Sequence, residues 1–598
     1  MKIIHILSLS LCLFANSGLA NNITFASQDF GAQNTNSHTR IVQFDISWEN
    51  SWRDDENYDA VWVFLKYSTD GGITWHHGTL TTPAGYGSGT GLDIIVPSDK
   101  KGAYLRRTLA GEGTVDTDGI QLVWDYGTDL GADAAGDQLA IFAIVRLMAT
   151  EMVYVPQGPF YMSDRYNNTS SGSPGTSQII RDSAKAQQTT ANGGLDNEFP
   201  VGGFISAWGT QLHVRNYGVH ALNIKMTEGA TAGYDQWFDD TWGRNSSVLG
   251  LIAYFNNQTA TNGSAMPGGC PGIWFHGDEG ISIDQPTESN MNTNWPTGFK
   301  AFYLARYEVS QAQYRDFLNS LSPAQAVNRF PGYNSGLRFG IQSDNGLYGC
   351  DLNNNGIFDE SADGECVTAS YCSHNDSLAI NDWTSTRLMT EFEFEKAGRG
   401  TNLPATYERA NGVATSSGGA VDVYPSAVSL SGMADEVPSN NADDGANIFY
   451  NIPSIGPFRS GSLATSTSDR RKSGAGYYGN MDLTGNIEED TITVGTIRGR
   501  SYSAAHGDGE LDPTGYHNVT GWPGGTNSAC LANYPTQIDL TERSMCLRGG
   551  EYKWTPSSYY GSLYIPLSGR YLSTDVFSYD MRSGTYNQSG LRGARTAE

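Results

Sequence analysis

Residues Ala60 to Leu65 read Ala-Val-Trp-Val-Phe-Leu, six apolar side chains in succession. A strand with one wet face alternates apolar and polar residues, so an unbroken run marks a central, fully buried strand. Its neighbours do alternate. Val42, Phe44, Ile46 and Trp48 are interleaved with Gln43, Asp45 and Ser47, and Ile120, Leu122, Trp124 and Tyr126 repeat the pattern. Period-2 alternation turns one side of each strand to a core and the other to water. Asp70-Gly71-Gly72 and the stretch from Gly87 to Gly91 are turn signals between strands. Residues 21–147 are therefore predicted to form a small β-sandwich.

Beyond it, Leu139 to Val155 is largely apolar and strand-like, leading into Pro156-Gln157-Gly158. A Ser, Thr, Gly and Asn-rich loop covers about 164–198. Two helices are signalled by capping boxes. Ser310 with Gln313 opens one that carries Tyr314, Phe317 and Leu318 on one face. Thr390 with Glu393 opens a second, through Ala397, stopped by Gly398 and Gly400, with Phe394 and Ala397 facing the core. No internal repeat of fixed period is present.

Charge and cysteine usage bound the function. Lys plus Arg is 37 and Asp plus Glu is 63, a net charge of −26. Such a field repels phosphate backbones and argues against nucleic acid as a partner. Residues 1–20 read as a secretory signal peptide: Lys2, an apolar run from Ile3 to Ala15, then Gly18 and Ala20 at the cleavage positions. No later segment has about 20 consecutive apolar residues, so no membrane insertion is expected. Cys12 lies in the signal, leaving Cys270, Cys350, Cys366, Cys372, Cys530 and Cys546. An even number in an exported chain suggests disulfides, with Cys350–Cys366 and Cys530–Cys546 the preferred local pairs.

Five segments occur in the order found in one family. They are Met152 to Gly158 (MVYVPQG), Phe302 to Phe317 (FYLARYEVSQAQYRDF), Arg387 to Gly400 (RLMTEFEFEKAGRG), Met481 to Glu489 (MDLTGNIEE) and Leu547 to Gly550 (LRGG), with Leu591 to Arg595 closing the chain. Together they resemble the formylglycine-generating-enzyme, or sulfatase-modifying-factor, family. The resemblance implies a C-type-lectin-like domain rich in irregular loops over 148–598, and an α+β chain as a whole. It also implies two copper-binding cysteines shortly after Arg-Gly-Gly, but Trp554 and Tyr559 stand about there, and neither supplies a thiolate. The family's calcium-binding turn implies Asn486, Ile487 and Glu489 as ligands, with Asn447 and Ile448 resembling a second such site. Glu488 replaces the family's tryptophan in that turn.

A sharper metal motif comes from the residues themselves. In Asp351-Leu352-Asn353-Asn354-Asn355-Gly356-Ile357-Phe358-Asp359, oxygen side chains occupy positions 1, 3, 5 and 9 and glycine position 6, as in an EF-hand-type calcium loop. Ile357 would give its carbonyl. Ala362 stands at position 12, where Asp363 or Glu360 could substitute. The loop lies within 350–366, flanked by Cys350 and Cys366. His506, Asp508, Glu510 and Asp512 cluster on another loop and are candidates for a rearranged metal site. No Gly-x-Ser-x-Gly elbow, P-loop or His-Glu-x-x-His is present. Trp554, Tyr559, Tyr560 and Tyr564 begin a tyrosine-rich stretch that either lines a ligand face or fills the former catalytic pocket.

These features point to a secreted, non-catalytic structural or binding protein of the cell surface or extracellular matrix. Calcium would stiffen it, without copper or iron, and its partner would be a second copy or a surface glycan or protein. A lectin-like adhesin and a metal-dependent oxidase with a rearranged site are the alternatives.

Overall fold

A computed structural model describes residues 23–82, 91–158, 160, 292, 294–333, 338–402, 408–413, 428–438, 456–465, 467–493, 499, 501–523, 545–552, 567 and 589–598, with the backbone of three short strands between 224 and 276. The first strands are β1 (Thr24–Asn34), β2 (Thr39–Arg53), β3 (Asp59–Ser68), β4 (His76–His77), β5 (Leu80–Thr81), β6 (Leu92–Ile95), β7 (Ala103–Arg107) and β8 (Gly111–Trp124). Two helices follow, α1 (Tyr126–Leu130) and α2 (Ala134–Phe142), and then β9 (Ile144–Val155).

The alternating strands behave as their sequences require. β2 and β8 pair antiparallel with Val42 opposite Leu122 and Phe44 opposite Ile120. They form a four-stranded sheet in the order β1-β2-β8-β5. Val42, Phe44, Ile46 and Trp48 pack with Ile120, Leu122 and Trp124 against Val61, Val63 and Leu65 of β3. The pattern stops one step earlier than expected. Asp125 caps α1 by accepting from the Thr128 amide, so Tyr126 begins a helix rather than ending a strand. Likewise, the apolar stretch from Leu139 is helical before it is extended. The Asp133 side chain accepts from the Ala135 and Gly136 amides and starts α2, and the strand begins only at Ile144.

The second sheet joins this unit to the rest of the chain. The backbone between 224 and 276 contributes β10 (Ile224–Thr227), β11 (Ile252–Phe255) and β12 (Gly272–His276) as a separate three-stranded sheet. Next comes β13 (Phe302–Ala305), then helices α3 (Gln311–Leu318) and α4 (Pro323–Arg329), and hairpin β14 (Ile341–Asp344) with β15 (Leu347–Cys350). They precede α5 (His374–Trp383), α6 (Glu391–Arg399) and the short pair β16 (Val428–Ser429) and β17 (Val437–Pro438). After α7 (Arg470–Ser473), strands β18 (Glu488–Ile492), β19 (Met545–Arg548), β20 (Ser589–Gly590) and β21 (Ala594–Thr596) complete the order. One seven-stranded sheet runs β21-β13-β9-β3-β7-β6, with β4 beside β3. β9 pairs with β3 from Asp59–Val153 to Ser68–Ile144, and its last four residues, from Met152 to Val155, also pair with β13. The expected boundary at 147/148 thus lies inside one continuous strand.

All ten residues of β3 are buried. One face meets the four-stranded sheet. On the other, Ala60, Trp62 and Phe64 meet Tyr314, Phe317 and Leu318 of α3 and Ile380 and Trp383 of α5. The Phe64 and Trp383 rings meet edge to face at 5.6 Å. The chain is α+β, with three layers where the units meet. Both predicted capping boxes are formed, at Ser310 and Thr390, and α6 ends on Gly400. Phe394 and Ala397 are fully buried, in a second cluster with Val153, Val155, Phe302 and Leu304.

Trp62 links the layers: its ring packs on Tyr104, lies under the Arg595 guanidinium at 3.9 Å, and donates to the Thr384 carbonyl at 3.0 Å. Trp62→Ala is expected to cost about 3–5 kcal/mol. The loss should appear in calorimetry as one transition shifted down, not as a second, early transition.

Candidate functional site

Leu547 and Arg548 end β19 beside β18, with Glu489 opposite Arg548, and Gly549-Gly550 turn the chain just after it. The Arg548 guanidinium donates to Glu391 at the start of α6, at 2.5 Å. Gly549 has φ +89°, and a Cβ there would stand 2.6 Å from Glu489 Oε2 and 2.9 Å from the Leu483 carbonyl. Only glycine permits that approach.

Under this turn lies a buried charge cluster. Arg592 donates to the carbonyls of Ala305, Arg306 and Met481, and to Glu489 Oε1 at 3.0 Å. Glu308 and Asp482 are also buried around it. Burial pushes the Glu308, Asp482 and Glu489 carboxyls up. Asp482 adds to the shift of Glu308, and Glu308 and Asp482 to that of Glu489, with Arg592 opposing throughout. Glu489 Oε2 has no hydrogen-bond partner. Three carboxyls around one guanidinium form a buried ion-pair core: burial and mutual repulsion disfavour their charged forms, and Arg592 supplies the countercharge.

This cluster differs from the expected ligand set. The Asn486 amide is spent on the protein: its oxygen accepts from the Phe458 amide at 2.9 Å, and its nitrogen donates to Glu308 at 2.5 Å and Thr368 at 3.0 Å. Asn486 is thus a structural tie, and the carboxylates near Glu489 are Asp482 and Glu308. Sequence reasoning missed both, although each lies inside a quoted motif. Ile487 is buried, with its amide donating to Glu308 at 3.3 Å.

The 351–363 loop is wound as its motif suggests. Asp351 accepts from the Asn355 and Gly356 amides, Asn353 from the Asn355 amide, and Asn355 from the Ile357 amide. Gly356 has φ +83°. Asp363 holds the Asn353 side-chain amide at 2.5 Å and the Glu360 backbone amide at 2.7 Å. Asp359 is directed elsewhere, to Arg315 at 2.6 Å and the Cys350 amide at 2.9 Å. Asp351, Asn353, Asn355 and Asp363 are therefore linked by hydrogen bonds across the loop, and Asp359 is drawn away from it. Among the described residues, no group of three or more His, Cys, Asp or Glu is gathered to hold a metal.

The expected disulfide is corrected. Cys350 and Cys366 are separate buried thiols. Cys350 faces the core cluster of Tyr314, Phe317 and Tyr348, and Cys366 is not part of it. Cys546 is buried, with its sulfur 3.1 Å from Thr491 Oγ1. Cys530, Asn447, Ile448, Trp554, Tyr559, Tyr560 and Tyr564 lie outside the described residues.

The 506–512 loop is a docking device. His506 Nδ1 donates to Asp99 at 3.1 Å, and Nε2 accepts from the Thr596 amide at 2.9 Å, so both ring nitrogens are occupied. Asp508 accepts from the Glu510 amide, and Glu510 accepts from the His77 amide at 2.7 Å. The Gly509 carbonyl receives the buried Lys66 ammonium at 2.6 Å, which also lies 4.5 Å over Trp383. Burial pushes Lys66 down to about 7, against the pull of Glu510 and Asp382.

Residues 281–563 match the family model of the sulfatase-modifying factor enzyme 1-like domain. The chain thus carries a domain of that family, and the β unit of β1 to β8 precedes the match. No curated protein matches the chain, and no solved structure does.

Burial, with Arg595 adding to it, pushes His506 down to about 3 from 6.5. A histidine held neutral in the fold but free to protonate when unfolded makes stability fall as pH drops below about 6.5, by up to about 1.4 kcal/mol per unit. Urea titrations between pH 6.5 and 5 should show a steeper loss in the wild type than in His506→Ala.

Proposed function

We propose that the chain is an exported, non-catalytic structural or binding protein of the cell surface or extracellular matrix. Its family domain serves as a scaffold, and copies assemble into a filament or layer. The observation that carries this reading is the pair Trp554 and Tyr559, which stand about where the family's resemblance places two copper-binding cysteines. Copper(I) is a soft ion that selects thiolate or thioether ligands. Buried thiols elsewhere are poor substitutes: burial pushes Cys350 well up and Cys366 to about 11. The export half rests on the signal-like residues 1–20. The scaffold half is supported by β9, which pairs with both β3 and β13.

Calcium is the cofactor this reading takes. Asp351, Asn353, Asn355 and Asp363, with the Ile357 carbonyl, would hold the ion. Its role would be to hold the loop, at the millimolar calcium of an extracellular setting.

The test is made on the purified chain from residue 21. Metal analysis should find no stoichiometric copper or iron, and millimolar calcium should raise Tm by several degrees. Electron microscopy should show ordered polymers in calcium that are lost in chelator. Copper or iron retained at about one equivalent would overturn the non-catalytic reading. A monomer in both conditions would overturn the assembly.

A further inference from the structure

Helix α2 is apolar on both sides. It buries Gly136 and Ala140, yet Leu139 is 43%, Ile141 44% and Phe142 78% exposed, and Ile144 at the start of β9 is 43% exposed. A single exposed leucine is ordinary, but four large apolar residues within six positions form a patch of the kind that marks an interaction site.

This face adjoins an open sheet edge. The Gln33 side chain donates to the Asp137 carbonyl at 3.0 Å and Gln28 to the Val145 carbonyl at 2.9 Å, so α2 runs alongside β1. β1 ends its sheet, with no strand on its outer side among the described residues. Its eleven residues carry one charge, Asp29, and no lysine or proline. Two register shifts against β2 kink the edge without covering it.

Charge selects the occupant. Copies of a chain with net charge −26 repel one another least where their surface is uncharged. The N-terminal end of α2 carries Asp133, and its C-terminal end carries Arg40, whose guanidinium donates to the Ala140 carbonyl at 2.5 Å. Two such helices packed antiparallel about a two-fold axis set the acid of each beside the arginine of the other. That is the self-complementarity an isologous contact requires. We propose that the outer face of α2, with the edge of β1, is a contact between two copies of this chain. It rests on the assembly proposed above and names one surface of it.

The experiment is sedimentation equilibrium of the chain from residue 21, as wild type and as Phe142→Asp. A Gln138→Cys variant is oxidised in parallel. The wild type should associate, Phe142→Asp should weaken association at least tenfold with Tm unchanged, and Gln138→Cys should give a disulfide-linked dimer. Association unchanged in Phe142→Asp, with no cross-link at Cys-substituted Gln138, would overturn this contact and leave assembly standing. A wild type that stays monomeric at every concentration would overturn both.

Discussion

The structure depends on one strand being dry on both faces. β3 gives Val61, Val63 and Leu65 to a β-sandwich core and Ala60, Trp62 and Phe64 to a helical layer. At about 25 cal/mol per Å² of apolar surface removed from water, neither layer can separate without exposing half of this strand. β9 makes the same point through the backbone, because its hydrogen bonds are divided between β3 and β13. The β unit and the family domain therefore share one sheet.

Polar ties close the seam around that sheet. The Glu151 carboxylate of β9 pairs with Arg306, Asn57 donates to the Tyr478 carbonyl at 2.7 Å, and Asp99 pairs with Arg595. The 506–512 loop adds His506, Gly509 and Glu510 to the same seam. Burial pushes the Asp99 carboxyl up, yet His506 and Arg595 hold it well below the usual carboxylate range. Removing one partner of such a buried pair leaves a charge with nothing opposite it, which is why the seam resists piecemeal change. The acidic residues of this loop thus serve cohesion, although their spacing resembles a metal site.

Local signals were legible in the sequence, and long-range ones were not. The β3 run, the alternation of β2 and β8, and the Ser310 and Thr390 caps are all written within a few residues. Helix α2 was hidden because its apolar residues merge with β9, and only Asp133 marks its start. In the charge cluster, Glu489 was legible from its motif, but Asp482 lies in the same segment outside the calcium-type turn, and Glu308 comes from another segment. Asn486 looks like a ligand until Phe458, Thr368 and Glu308 are placed around it. Asp359 fits a calcium loop by position, and Arg315, 44 residues earlier, draws it away. Cys350 and Cys366 flank a loop in sequence without meeting in space.

The most direct test of a shared sheet is native-state hydrogen exchange of β9. If the β unit and the family domain are one cooperative body, amides from Ile144 to Val155 should open with a single free energy, matching those of β3 and β13. If the amides facing β3 and those facing β13 open with free energies differing by several kcal/mol, the two units unfold independently, and the account is contradicted.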